Sequence, residues 1–192
     1  MKPRLFLDEE HVWYARDLQD LPAVPLPVGY ELRRATADDL AVAADAGRDP
    51  ALVGRHIEAG HELWMLLSGG KAAFSAWIFR GSAPAIAARG GWFELPSDSV
   101  CMEDSLTHPD FRGMGFAPAA AMGIFRSLRD SGAAHVITKI ESANDSSRRA
   151  AAKAGFYEVA TMRLKRLGPG RDVRIGDVRG AVGAQLAEAI AR

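Results

Sequence analysis

His108-Pro109-Asp110-Phe111-Arg112-Gly113-Met114-Gly115-Phe116-Ala117 runs straight into an alanine-rich stretch that starts at Pro118. Two glycines two apart, Gly113 and Gly115, stand where a strand ends and a helix begins. Such a junction exposes unpaired backbone N–H groups, and the helix dipole adds partial positive charge. It suits a phosphate, and with this spacing a pyrophosphate. The competing reading is a tight turn that needs glycine for backbone reasons alone. Two familiar phosphate motifs are excluded directly. No Gly-x-x-x-x-Gly-Lys-Ser/Thr occurs, and position 118, where a dinucleotide fingerprint needs its third glycine, is proline.

Outward from this turn the chain alternates short strands and helices. Residues 99–107 read as the strand before it. Residues 118–129 read as the helix after it, with Ala121, Ile124, Phe125 and Leu128 at helical spacing and Gly132 as the stop. Upstream, 28–34 is strand-like, and Thr36 and Asp39 form a capping box for a helix. A break at 47–50 precedes a second helix at 51–59. Residues 62–67 and 71–80 are strands joined at Ser68-Gly69-Gly70, a hairpin signal. Residues 81–96 read as an irregular connection containing Trp92 and Phe93. Downstream come a strand at 135–140, a helix at 146–154 ending in Gly155, and a strand at 156–167. A turn at Gly168-Pro169-Gly170, a last strand at 173–175 and a small amphipathic helix follow. The order is that of an α+β fold with a mixed sheet.

Residues 1–27 form a distinct opening segment. Its piece at 11–18 reads as strand or helix, and Pro22, Pro25 and Pro27 close it like an extended connector. The expected organisation is an N-terminal extension at 1–27, a central domain at 28–167 and a strand and helix at 168–192 completing it. The terminal segments are expected to pack on the core or on a partner subunit, which leaves a homodimer open.

Composition is ordinary for a globular chain of 192 residues, with 48% hydrophobic and 25% charged. Lys plus Arg equals Asp plus Glu, 24 against 24, so no cationic excess exists to hold nucleic acid by counterion release. The opening residues meet Asp8, Glu9 and Glu10 before a signal-peptide core develops, and no apolar run is long enough to span a bilayer. The lone Cys101 forms no intramolecular bridge. The expectation is a cytoplasmic protein without membrane attachment. His56, His61 and His135 lack metal-ligand spacing, so no metal is expected.

The glycine turn has a specific context. Arg112 to Ala117 satisfies Arg/Gln-x-x-Gly-x-Gly/Ala after His108-Pro109 at a strand end. About 27 residues on, Asn144, Ser147, Arg149, Lys153, Gly155 and Phe156 satisfy Asn-x-x-Ser-x-Arg-x-x-x-Lys-x-Gly-Phe. Together these resemble the GNAT superfamily of acyl-CoA N-acyltransferases. The second motif is most similar to the branch of ribosomal-protein N-terminal acetyltransferases. The resemblance covers roughly residues 28–167. It implies a mostly antiparallel twisted sheet of about six to seven strands, flanked by helices and splayed between the strands at 99–107 and 135–140. It implies acetyl-CoA or another acyl-CoA as co-substrate and an amine acceptor, either a small molecule or a peptide N-terminus. On this pattern Gly113, Met114, Gly115, Phe116 and Ala117 cradle the pyrophosphate, with Arg112 adding charge. Leu106 and Thr107 pair with pantetheine along the strand, and Asn144 and Ser147 bond its arm. Acceptor contacts fall at 47–50 and 168–172.

The competing readings are a helix cap for Asn144, solvated helix positions for Ser147 and Arg149, and a surface site for Lys153. One departure stands out. The tyrosine that many members place four residues before the last glycine is Ala151 here, so Ser147 is the nearest group to reprotonate the thiolate. The acceptor must also lose a proton, and Glu103 and Asp104 are the carboxylates beside the cleft. Strand alternation sets them on opposite faces, Glu103 with Cys101, Ser105 and Thr107, Asp104 with Val100, Met102 and Leu106. If the polar face lines the cleft Glu103 is the base; if the apolar face does, burial raises Asp104 and favours it. Glu103 ranks first, and a salt-bridged or capping carboxylate is the competing reading for both. The functional expectation is transfer of an acetyl or other short acyl group from acyl-CoA to a primary amine by direct attack in a ternary complex. The alternative is a CoA-binding sensor or assembly module without transferase activity.

Overall fold

The computed structural model describes residues 6–167 and 170–191, Arg89 by its backbone alone. In chain order the strands are β1 (Phe6–Asp17), β2 (Glu31–Arg34), β3 (Glu62–Ser68), β4 (Lys71–Arg80), β5 (Ser82–Pro84), β6 (Trp92–Glu94), β7 (Ser99–Thr107), β8 (His135–Glu141), β9 (Tyr157–Leu167) and β10 (Gly170–Gly176). The helices are α1 (Leu40–Asp45), α2 (Pro50–Glu58), α3 (Phe116–Asp130), α4 (Asp145–Lys153) and α5 (Gly180–Ala191).

Eight strands form one sheet in the order β10-β9-β1-β8-β7-β4-β3-β2, and β5 and β6 make a small separate hairpin. Every pairing in the large sheet is antiparallel except β7 with β8, which α3 connects as a crossover. The expected mostly antiparallel sheet is present, with eight strands rather than about six to seven. The strand beyond that number is β1, and the expected last strand at 173–175 is present as the longer β10. Residues 6–17, set apart as an opening segment, form β1 between β8 and β9, and β10 adds to the far edge. Within 81–96, β5 and β6 pair where an irregular connection is expected.

The sheet carries a core on each face. Alternation along β1 places Trp13 and Ala15 in one core and Val12 and Tyr14 in the other. A strand buried on both faces loses the polar half of its pattern, which is why 11–18 does not declare its type from sequence. The Trp13 face is covered by α1, α2, α5 and the β5–β6 hairpin, through Ala43, Val53, Leu186 and Phe93. The Tyr14 face is covered by α3 and α4, through Ala120, Phe125 and Ala151. Among the described residues no helix is long and apolar enough to cross a membrane.

Candidate active site

The glycine turn stands at the mouth of α3. Gly113 and Gly115 take φ of 80° and 76°, a region costly for any residue with a Cβ, and Gly115 is the residue before the first helical turn. A Cβ built on either glycine meets nothing within 4 Å, so open space lies before both. That space is a hollow of about 260 Å³ bordered by Thr107, Arg112, Gly115 and Pro118. The helix begins at Phe116, two residues ahead of the expected start, and Pro118 sits in the first turn where an N–H has no intrahelical partner. From behind, the Tyr30 ring packs on Phe116 at 4.5 Å and on Phe111 at 6.4 Å, which holds the turn against β2. Arg112 is exposed, and its Nε lies 3.5 Å from the Thr107 carbonyl.

Beside the turn the sheet opens. β7 and β8 pair only at Ser99–His135, Val100–Val136 and Cys101–Ile137, then part, which places the splay where it is expected. Glu103 lies two residues past the last pair, its side chain 14% exposed. Its Oε1 accepts the main-chain N–H of Lys139 at 3.2 Å, and Oε2 meets Lys139 Nζ at 2.7 Å. Lys139 Nζ also donates to the Pro84 carbonyl at 2.9 Å and stands 5.7 Å from the Trp13 ring centroid. Burial raises the Glu103 carboxyl above its ordinary value, and the Lys139 charge opposes that rise without cancelling it. Burial likewise pushes the neighbouring Cys101 thiol well up, so this lone cysteine stays protonated. The sequence signal for Lys139 is a single cation inside an apolar, β-branched strand.

Past Glu103 the alternation of β7 breaks. Trp77 pairs with Glu103 and Ser75 with Leu106, so Ala76 alone faces both Asp104 and Ser105. This is a β-bulge, and Asp104 takes φ of 50° within it. The inserted residue reverses the faces that follow. Leu106, expected on Asp104's face, lies on the α1–α2 side, its Cδ2 3.6 Å from the Cβ position at Gly47. Asp104 is 69% exposed, so the burial on which its candidacy as base depends is absent. Its carboxylate and its carbonyl both accept from Arg48, a residue of the α1–α2 connection that sequence reasoning did not single out.

At the other side of the cleft, Asn144 caps α4. Its Oδ1 accepts from Ser147 N at 3.1 Å and from Ser146 Oγ at 3.0 Å, so its side chain is turned to its own helix. Ser147 is half-buried, while Arg149 and Lys153 are exposed. It is Arg148 that ties α4 to the sheet, donating to Tyr14 Oη at 3.1 Å and to Glu158 Oε1 at 3.2 Å. Ala151 is buried on the same face. In the β5–β6 hairpin, Phe93 is buried edge-on to Trp13 at 5.2 Å, and Trp92 is 40% exposed and stacked on His61. Of the expected acceptor stretches, 47–50 lies beside the bulge, while Gly168 and Pro169 fall outside the described residues. Among the described residues no group of three or more His, Cys, Asp or Glu side chains is placed to hold a metal ion.

No protein-family model matches the chain, and no curated protein matches it in sequence. Solved structures do match. A GNAT-family acetyltransferase from Colwellia psychrerythraea superposes with a TM-score of 0.58 at 17% identity, over 83% of this chain and 56% of its own. A GNAT-family acetyltransferase from Novosphingobium aromaticivorans gives 0.57 at 16%, over 85% of this chain and 66% of its own. The ribosomal-protein-S18-alanine N-acetyltransferase from Escherichia coli gives 0.52 at 15%, over 68% and 79%. The chain thus spans only about half to two thirds of the first two. With a sheet that parts after three parallel pairs and a glycine turn heading the crossover helix, this chain has the fold of the GNAT acetyltransferases.

Proposed function

We propose that this chain is an acyl-CoA-dependent N-acyltransferase that passes an acetyl or other short acyl group to a primary amine by direct attack in a ternary complex. The observation that carries the reading is the adjacency of two features, an open glycine turn at the head of α3 and a sheet that parts beside it with a buried carboxylate at the opening. The amides of 113–117 and the α3 dipole hold the CoA pyrophosphate, and Arg112 adds a solvated charge. Pantetheine lies in the splay against the backbone of Leu106 and Thr107. The acyl-CoA supplies the activated carbonyl; what the chain supplies is orientation and a proton acceptor.

Glu103 is the group that takes the proton of the acceptor ammonium, directly or through water. Its raised pKa improves the match to an amine at neutral pH, and Lys139 keeps it ionised enough to act. The face it shares with Trp13, α1–α2 and the β5–β6 hairpin is opposite the face of α3 and α4, so donor and acceptor reach the splay from two sides. Ser147 stands at the head of α4 as the residue to return a proton to the departing thiolate. The acceptor is a small-molecule amine or a peptide N-terminus, the latter on the Asn144 to Phe156 pattern.

The deciding measurement is release of free CoA from acetyl-CoA across a panel of amines and peptides, beside calorimetric titration with CoA, ATP and NAD. Amine-dependent CoA release supports the transferase. The second reading, a CoA-binding module without turnover, is favoured by Ala151 and by the ion pair that occupies Glu103. Tight CoA binding with no turnover on any acceptor would select it, and preferential binding of ATP or NAD would remove both.

A further inference from the structure

Arg48 is a guanidinium with 7% exposure, set in the short link between α1 and α2 rather than in the sheet. Its donors reach both strands that make the bulge. Nε donates to Ser75 Oγ at 3.1 Å and one terminal nitrogen to the Ser75 carbonyl at 3.2 Å on β4. On β7 the two terminal nitrogens take the Asp104 carbonyl and carboxylate. Burial of this kind disfavours the charged form, and the facing Asp104 charge opposes that effect without cancelling it. A buried cation and a non-glycine residue at φ 50° are each destabilising by themselves, and they meet at Asp104. Ordinary sheet pairing would need neither. The arrangement has one clear geometric effect: it holds two residues of β7 opposite one of β4, immediately between Glu103 and the stretch at Leu106–Thr107.

We propose that Arg48 is a positioning residue for acyl transfer, holding the Asp104–Ser105 bulge so that Glu103 on one side of it and the strand end on the other keep their mutual placement across the cleft. The inference rests on the acyltransferase reading. Because the α1–α2 link is also the acceptor-side connection, the same guanidinium ties that link to the donor-side strand. Displacing the bulge changes the faces of all residues after Asp104, which a change of packing alone does not do.

Three variants test it. Arg48→Met removes the fork while keeping bulk, Arg48→Lys keeps charge without the fork, and Arg48→Met/Asp104→Gly removes the clamp but also the Cβ that makes positive φ costly. The expected result is a fall in kcat of about 10- to 100-fold for Arg48→Met, the scale of a misplacement near 1 Å. CoA affinity by calorimetry falls by less than kcat, because only the Leu106–Thr107 stretch of the cofactor site lies past the bulge. Arg48→Lys falls between, and the double variant regains part of the lost kcat. Amide shifts of Ser105 and Leu106 move in Arg48→Met and return toward wild type in the double variant. A fall in CoA affinity parallel to kcat, with no rescue by Asp104→Gly and unmoved Ser105 and Leu106 amides, would overturn the proposal. If Arg48→Met does not fold, Arg48→Lys carries the same comparison, since wild-type kcat in a lysine variant with shifted amides also overturns it. Absence of CoA binding in the wild-type chain is a separate result; it removes the acyltransferase reading, and the amide shifts still decide whether Arg48 holds the bulge.

Discussion

Glu103 Oε1 accepts the main-chain N–H of Lys139 at 3.2 Å, across the gap where β7 and β8 have ceased to pair. The carboxylate takes the hydrogen bond that a neighbouring strand carbonyl would otherwise take, and its second oxygen meets the same lysine's ammonium. One side chain thus closes the polar account of an opened sheet while remaining next to the opening.

Glu103→Gln keeps an oxygen for the Lys139 N–H but removes the proton acceptor. Turnover at pH 7 should fall by about 100-fold, within the range of general-base catalysis, with CoA affinity unchanged. In the wild type the acid limb of kcat/KM should lie above 4.5, because burial raises this carboxyl and the protonated form cannot accept a proton. The variant should lose that limb. A normal pH–rate profile in Glu103→Gln would pass the role to water or to Asp104.

At the turn, Gly115→Ala and Gly115→Glu separate backbone from ligand effects. No atom crowds a Cβ there, so alanine should cost only the conformational penalty, about 1 kcal/mol by chemical denaturation. Glutamate should pay the same backbone cost and abolish CoA binding by placing negative charge in the hollow. Calorimetry reads the second effect; equal CoA affinity in the glutamate variant would refute the pyrophosphate assignment.

Asp39 supports the start of α1 on β2. Its two oxygens accept from Arg33 at 2.7 and 2.8 Å, and Oδ2 also takes the Thr36 N–H at 2.7 Å. These partners hold its carboxyl well below the usual range of 3.8. A folded-state value below the unfolded one adds stability that is fully present above the unfolded pKa and is lost as pH falls through the folded one. Arg33 is 37% exposed, so solvent screening reduces the pair's worth, and Asp39→Asn should cost about 1–2 kcal/mol at pH 7. Urea unfolding at stepped pH checks the sign: the gap between wild type and variant should narrow only below 3.8.

Gly183 in α5 is a packing requirement. A Cβ there would stand 2.3 Å from the Val159 main-chain oxygen on β9. Gly183→Ala should therefore push α5 off the sheet, costing about 1–3 kcal/mol as overpacking does. Faster amide exchange confined to α5 and the middle of β9 would mark the displacement; wild-type exchange there would contradict it.

Local patterns determined much of this protein from sequence alone. The capping box at Thr36 and Asp39, the hairpin at Ser68–Gly70, the α3 stop at Gly132 and the glycine turn itself are legible because each depends on residues within a few positions of one another. The α+β class follows from the order of those elements, and the position of the splay is implied by the resemblance of the two motifs to the GNAT superfamily. Three features belong to the tertiary structure. The place of β1 depends on pairing with β9 about 150 residues away, which no local period encodes. The bulge at Asp104 reverses the faces of Leu106 and Thr107, and strand alternation carries no mark of an inserted residue. The partners of the two carboxylates, Lys139 for Glu103 and Arg48 for Asp104, come from separate elements brought together by the sheet and the α1–α2 link. Sequence named both carboxylates, but folding alone set one behind a lysine at the open edge of the sheet and the other in solvent on an arginine fork, because burial and charge pairing are properties of assembled surfaces and not of residues in a row.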